Sequence, residues 1–175
     1  FGIIWIGTKD GLNRYNGTDF YVFRPVKGDK NSLYNNNIGT ICGDKQGHIY
    51  IRCKYAVVEY DIKKNTFHTI RDNDIQAITY DNARLWVCTR DSLFTYNRVE
   101  DRLDYYYNLE GVRMSCVTED SAGNLYVGTM NNGLYMIDHN KKWLNYFPKK
   151  DITCIYEDSK KSIWVGTKDD GLFRL

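Results

Sequence analysis

The chain has 175 residues, 24 of them basic and 22 acidic, giving a formal net charge of +2. That is too near neutrality for the concentrated basic face that nucleic-acid binding requires. Aromatic residues make up 15% of the chain and proline occurs only twice, which favours strands over helices. No apolar run approaches the roughly 18 residues of a membrane-spanning helix.

Ile3 to Gly7 reads as a strand apolar on both faces, the pattern of burial on two sides. Thr8-Lys9-Asp10-Gly11 turns the chain, and Leu12 to Tyr15 returns. Asn16-Gly17 is a strong hairpin signal, and Thr18 to Phe23 completes an outer strand. A long polar connection, Arg24 to Asn37, follows; loops of that length are functional or disordered. The second unit predicts strands at Ile38 to Gly43, His48 to Cys53, Ala56 to Tyr60 and Thr66 to Ile70. The third predicts Ile75 to Tyr80, Arg84 to Cys88, Ser92 to Tyr96 and Leu103 to Tyr107. The fourth predicts Met114 to Glu119, Asn124 to Gly128, Gly133 to Ile137 and Trp143 to Phe147. The fifth predicts Ile152 to Glu157, Ser162 to Gly166 and Gly171 to Leu175.

These units are copies of one phrase. IWIGTKDGL near the start returns as IWVGTKDDGL near the end, with IYIRCKYAV, LWVCTRDSL and LYVGTMNNGL between. Trp5, Tyr50, Trp86, Tyr126 and Trp164 are spaced by 45, 36, 40 and 38 residues. A period of about 40 residues with four strands marks a β-propeller. The expected fold is therefore all-β: a β-propeller segment of four-stranded antiparallel blades. Three blades are complete, at 38–70, 75–107 and 114–147, and a partial blade stands at each end, at 1–23 and 152–175. Phe1 falls in mid-repeat, so the chain reads as a single propeller fragment of something longer.

Blades bury their faces on one another, and the recurring Trp or Tyr is the expected wedge. In the first turns, Asp44, Asp120 and Asp158 are placed to accept backbone N–H groups, with Gly47 and Gly123 where φ must be positive. The Asp158 turn lacks that glycine and the Asp81 turn is shorter, so both should be less regular. Five cysteines without a CxxC pair read as core thiols. Cys116 and Cys154 share a slot with Thr40 and Ala77 that is expected to be small and buried.

The pattern I-x-x-I-x-x-D-x-x-G-x-[IL]-W-[IV]-G-T-x-x-G-L resembles the two-component regulator propeller repeat. It is carried by Ile152, Ile155, Asp158, Ile163 to Thr167 and Gly171-Leu172. Met114, Val117, Asp120, Gly123, Leu125 to Thr129 and Gly133-Leu134 carry it again. Unit two departs at Arg52, Cys53 and Ala56, and unit three at Cys88 and Ser92. The resemblance implies the periplasmic sensor region of a hybrid two-component system of gut-type bacteria, a binding module without chemistry of its own. Such regions respond to oligosaccharides and control polysaccharide use; any kinase or membrane part would lie outside these residues.

Loops on one propeller face are the usual ligand site. The residue after each corner is Lys9, Lys54, Arg90, Met130 or Lys168, a rim suited to a uronic acid, a sulfated sugar or an acidic partner. Asp10, Asp91 and Asp169 follow these cations and oppose their field. Tyr55 and Tyr107 are candidates to stack on a sugar ring. The candidate ligand-binding residues are thus Lys9, Lys54, Tyr55, Arg90, Tyr107 and Lys168, with no catalytic or metal-ligating set. No cofactor motif is present, nor a G-x-S-x-G or H-E-x-x-H pattern, and His48, His68 and His139 fall at unmatched positions. The expected partners are an oligosaccharide and a second copy of the chain, joined through exposed blade edges; no nucleic-acid or membrane contact is expected of this segment. A propeller lyase or a plain interaction scaffold are the alternatives.

Overall fold

The computed structural model describes residues 2–175. Eighteen strands form five antiparallel sheets among them. The first sheet holds β1 (Ile4–Thr8), β2 (Gly11–Tyr15) and β3 (Phe20–Phe23). The second holds β4 (Ile38–Gly43), β5 (His48–Cys53), β6 (Ala56–Asp61) and β7 (Thr66–Arg71). The third holds β8 (Ala77–Asp81), β9 (Arg84–Cys88), β10 (Ser92–Asn97) and β11 (Arg102–Asn108). The fourth holds β12 (Met114–Glu119), β13 (Leu125–Thr129), β14 (Leu134–Ile137) and β15 (Trp143–Tyr146). The fifth holds β16 (Ile152–Glu157), β17 (Ile163–Thr167) and β18 (Leu172–Arg174). Every sheet is a simple meander of sequential hairpins, as blades are. Two strands start two residues later than their sequence suggests. Asn16 Oδ1 accepts the N–H groups of Thr18 and Asp19, which delays β3 to Phe20. The Ile75 N–H is taken by the Tyr55 carbonyl, which delays β8 to Ala77.

The chain divides into two compact units, with the division inside β8: one runs to Ile78, the other from Thr79. In the first unit an aromatic cluster holds two sheets together. Trp5 meets Tyr60 edge-on at 5.5 Å between ring centres, and Phe23 lies 5.1 Å from Tyr60 and 5.4 Å from Phe67. Leu33, from the long connection, is buried in the same core beside Leu12 and Ile38. The Asn31 carbonyl accepts the Phe67 N–H. The connection is therefore a pinned loop with an apolar anchor. Gly7 is tight because the next sheet leans on it: a Cβ there would lie 2.5 Å from Ile38 Cγ2.

The second unit repeats this device. A Cβ on Gly128 would lie 2.7 Å from Ile152 Cγ2 and closer still to the Cys116 sulfur. Tyr126 and Leu134 of one sheet pack with Ile152, Ile163 and Val165 of the next. Trp86 is 1% exposed, and its indole N–H donates to Glu119 Oε2 at 2.7 Å, from β9 to β12.

Several expectations are corrected. Trp164 is only half-buried and acts within its own sheet: its N–H donates to Asp158 Oδ2 at 2.8 Å, and Arg174 caps its ring. Ile4 is 55% exposed and Ile6 39%, because β1 is an edge strand with no sheet laid on its outer face among the described residues. Cys154 is exposed and Cys116 half-buried, so their slot is small, set against Gly166 and Gly128, but not closed. The Asp158 turn is as regular as its relatives. Asp158 Oδ1 accepts from Lys160 and Ser162, as Asp120 Oδ1 does from Ala122 and Asn124. Lys161 takes the left-handed conformation that glycine takes at Gly123, with φ of 67° against 86°. The Asp81 turn is a two-residue hairpin with positive φ at Asn82 and Ala83. It leaves Asp81 Oδ2 to accept the Glu119 N–H at 3.1 Å.

The cysteines form no disulfide among the described residues. Burial pushes the Cys53 thiol up to about 12 and the Cys116 thiol to about 11, and raises that of Cys88. Thiolate is the reactive form. Brief treatment with iodoacetamide at pH 8 is therefore expected to alkylate Cys154 and spare Cys53 and Cys88, as read by peptide mass spectrometry.

The Asp turns also predict an acid limb. At Asp44, burial raises the carboxyl pKa, but the His48 and Gln46 N–H groups and the His48 ring outweigh it and set it below 3.8. At Asp158 the Trp164 indole and the Ser162 N–H lower it in the same direction. Carboxyls depressed by folding contribute stability above their unfolded pKa and lose it as pH falls through the folded one. The melting temperature should hold from pH 7 to 5 and fall below about pH 4. The fall should be shallower when Asp44 and Asp158 are both changed to Asn.

Candidate functional site

The corners between second and third strands are built by side chains. The hydroxyls of Thr8, Thr89, Thr129 and Thr167 donate to the carbonyls of Gly11, Ser92, Gly133 and Gly171 at 2.6–3.2 Å. The corner is then bonded through the main chain to the segment that enters its own blade or the next one. In the first unit, Gly11 N–H donates to Asn36 O and Lys54 N–H to Asn37 O. The Lys9 and Lys54 corners thus flank one three-asparagine connection. In the second unit, Met114 N–H donates to Arg90 O, Met130 N–H to Arg113 O, and Lys168 N–H to Asp151 O. The Arg90, Met130 and Lys168 corners are joined the same way.

The six sequence-derived candidates fall into these two groups. Lys9, Lys54 and Tyr55 are exposed on the first unit, and Lys54 Nζ lies 5.8 Å from the centre of the Tyr55 ring. Arg90 and Lys168 are exposed on the second. Tyr107 is half-buried at the end of β11, paired with Leu93 beside the Arg90 corner. Arg90, Asp91, Gly111, Val112 and Arg113 line a concavity of about 380 Å³. The carboxylates that follow the cations are differently engaged. Asp10 pairs with Arg24 at 2.6 Å rather than with Lys9, and Asp91 accepts the Ser92 hydroxyl at 2.9 Å; next to Asp169, Asp170 pairs with Lys150 at 2.8 Å. The Arg24 guanidinium holds the Asp10 carboxyl below its ordinary value.

Two residues escaped the sequence reading. Arg113 completes the Arg90 concavity; its signal is its place just before an inner strand, where Asn37 and Asp151 also stand. Arg52 occupies the slot that is Gly7, Gly128 and Gly166 elsewhere. Its Nη1 donates to the Lys54 carbonyl at 2.9 Å, while its Nε is buried without a hydrogen-bond partner. Burial lowers its pKa. The histidines lie elsewhere: His48 is bonded to Asp44 in the first turn, His68 is in β7, and His139 is in the β14–β15 turn. Among the described residues, no three His, Cys, Asp or Glu side chains are grouped to hold a metal ion.

Five successive antiparallel meanders, with a corner threonine, a turn aspartate and a crowded glycine recurring among them, are the blades of a β-propeller. The two-component regulator propeller repeat is present at residues 108–131 and 146–169, the fourth and fifth copies. The chain is similar over 99% of its length to the extracellular domain of the hybrid two component system BT3049 from B. thetaiotaomicron, at 26% identity and a TM-score of 0.84. It matches that of BT4673 from the same organism over 98%, at 22% identity and a TM-score of 0.81. It spans only 27% and 25% of those chains. Virginiamycin B lyase from Staphylococcus aureus shares the fold at 12% identity, with a TM-score of 0.78 over 99% of this chain and 62% of the lyase. No curated protein sequence matches the chain.

Proposed function

We propose that this chain is a ligand-binding segment of the periplasmic sensor region of a hybrid two-component system, responding to an oligosaccharide and acting in the control of polysaccharide use. The observation that carries this reading is the similarity to the BT3049 extracellular domain along nearly the whole chain, with two regulator repeats in register with the sheets. The corner residues add a chemical preference. Lys9 and Lys54 on one unit, and Arg90 and Lys168 on the other, are exposed cations at equivalent positions of the repeat, and positive charge at a binding loop favours an anionic ligand. The module binds and does not turn over its ligand.

The test is to incubate the chain with a panel of neutral, uronic and sulfated oligosaccharides, following its melting temperature and the sugars together. Stabilisation by one class with the sugar recovered intact is the expected result. Appearance of a shortened or unsaturated product would make it a lyase. Self-association belongs to the same reading. Ile4 and Ile6 on β1 and Leu172 on β18 are exposed, and open strand edges invite pairing. Light scattering should give a mass that rises with concentration.

A further inference from the structure

Arg52 breaks the repeat in a way that a second residue accommodates. Its slot is glycine in three of the five copies, and at Gly7 and Gly128 a side chain would strike the isoleucine of the following sheet. The guanidinium fits because residue 39 is glycine. A Cβ there would lie 2.1 Å from Arg52 Nη2, and the equivalent positions carry Gln76, Ser115 and Thr153. Gly39 sits where the pairing of β4 with β5 shifts between Ile38 and Ile41, a bulge that bends the strand.

Among the described residues the charge so placed has no counter-charge. Of the five N–H donors a guanidinium carries, one is engaged, Nη1 to the Lys54 carbonyl. Among the described residues no carboxylate pairs with it. A half-buried cation costs free energy unless an anion or further acceptors meet it. Beside it stand exposed Lys54 and the Tyr55 ring, 54% exposed. A planar fork of donors, a second cation and an aromatic face are the elements that hold an acidic sugar: the oxyanion on the fork and the ring against the tyrosine.

We propose that Arg52, Lys54 and Tyr55 form an oxyanion subsite that takes the carboxylate or sulfate of an acidic sugar. The proposal rests on the binding-module reading and adds the class of ligand and its anchor. Gly39 acts through Arg52 as a positioning residue.

The experiment titrates the whole chain with digalacturonate, N-acetylglucosamine 6-sulfate and cellobiose. It reads the Arg52 side-chain Nε–H resonance by ¹⁵N NMR and the affinity by calorimetry. One acidic probe is expected to move the Arg52 resonance, with an affinity that weakens as salt rises, while cellobiose leaves it in place. Which probe succeeds distinguishes carboxylate from sulfate. Arg52→Gln should weaken that probe at least about tenfold and Arg52→Lys less, since a hydrogen bond to a charged group is worth that much. The wild-type resonance decides the matter even if the Gln variant folds poorly. An unmoved Arg52 resonance with every probe, or equal effects of cellobiose and the acidic sugars, overturns the subsite. Binding of the acidic probe that persists undiminished in Arg52→Gln does so too, yet leaves the binding module standing. Product formation with Arg52 still perturbed would overturn the module and keep the subsite.

Discussion

Replacing Trp86 by alanine is expected to destabilise the second unit by about 3–5 kcal/mol, the range for emptying a buried aromatic site. The ring is 1% exposed and meets Tyr106 edge-on at 4.7 Å. The indole also holds Glu119 of the next sheet through its N–H at 2.7 Å. Alanine removes both the packing and the donor, and leaves a partly buried carboxylate short of a partner. Trp86→Phe separates the two effects, because it restores most of the packing without the N–H. The thermal midpoint should fall by roughly 10 °C for alanine and by less for phenylalanine. A midpoint within 2 °C of wild type for Trp86→Ala, with native circular dichroism, would show that the ring does not bind the sheets together.

Gly133→Ala is the second large effect, and Gly171→Ala is its control. Both glycines occupy the corner position after the threonine, with nearly equal φ of 81° and 78°. Forcing alanine into the left-handed region costs about 1–2 kcal/mol at either site. At Gly133 the new Cβ would also stand 2.4 Å from the Tyr146 carbonyl oxygen and 2.5 Å from that of Phe147; at Gly171 it would meet nothing within 4 Å. Backbone carbonyls of the neighbouring strand cannot rotate away, so the corner must open and the Thr129 hydroxyl bond must lengthen. Gly133→Ala should therefore cost at least about 2 kcal/mol more than Gly171→Ala, measured by urea unfolding of the two variants side by side. Equal costs would mean that the corner yields freely.

How much could be read beforehand follows the range of the interactions. The strands, the corners and the Asp turns are local, and the alternation of apolar residues, the Thr-x-x-Gly phrase and the turn aspartates mark them within a few residues. Even there, Lys161 shows that a left-handed residue need not be glycine when neighbouring hydrogen bonds fix the turn. What depended on neighbours in space was not legible. Trp86 and Trp164 occupy the same slot of the repeat, yet one is sealed against Glu119 and the other stays within its own sheet. Leu33 lay in a polar stretch and gave no periodic signal, although it anchors the long connection. At the candidate site the corner cations could be found by aligning copies. The same alignment marked Arg52 as a departure but not its role, since that depends on Gly39, thirteen residues earlier and brought against it by a bulge.

The corner stations have one more consequence. The main-chain contacts that fix three of them run from the Lys54, Met130 and Lys168 N–H groups to the carbonyls of Asn37, Arg113 and Asp151, in the segment that enters the same blade, and a backbone N–H is supplied by every residue except proline. What holds the loops up is thus indifferent to what they display. Side chains at positions 54, 130 and 168 can therefore change the chemical identity of the surface while the scaffold beneath keeps its geometry, within the left-handed backbone that residue 54 adopts.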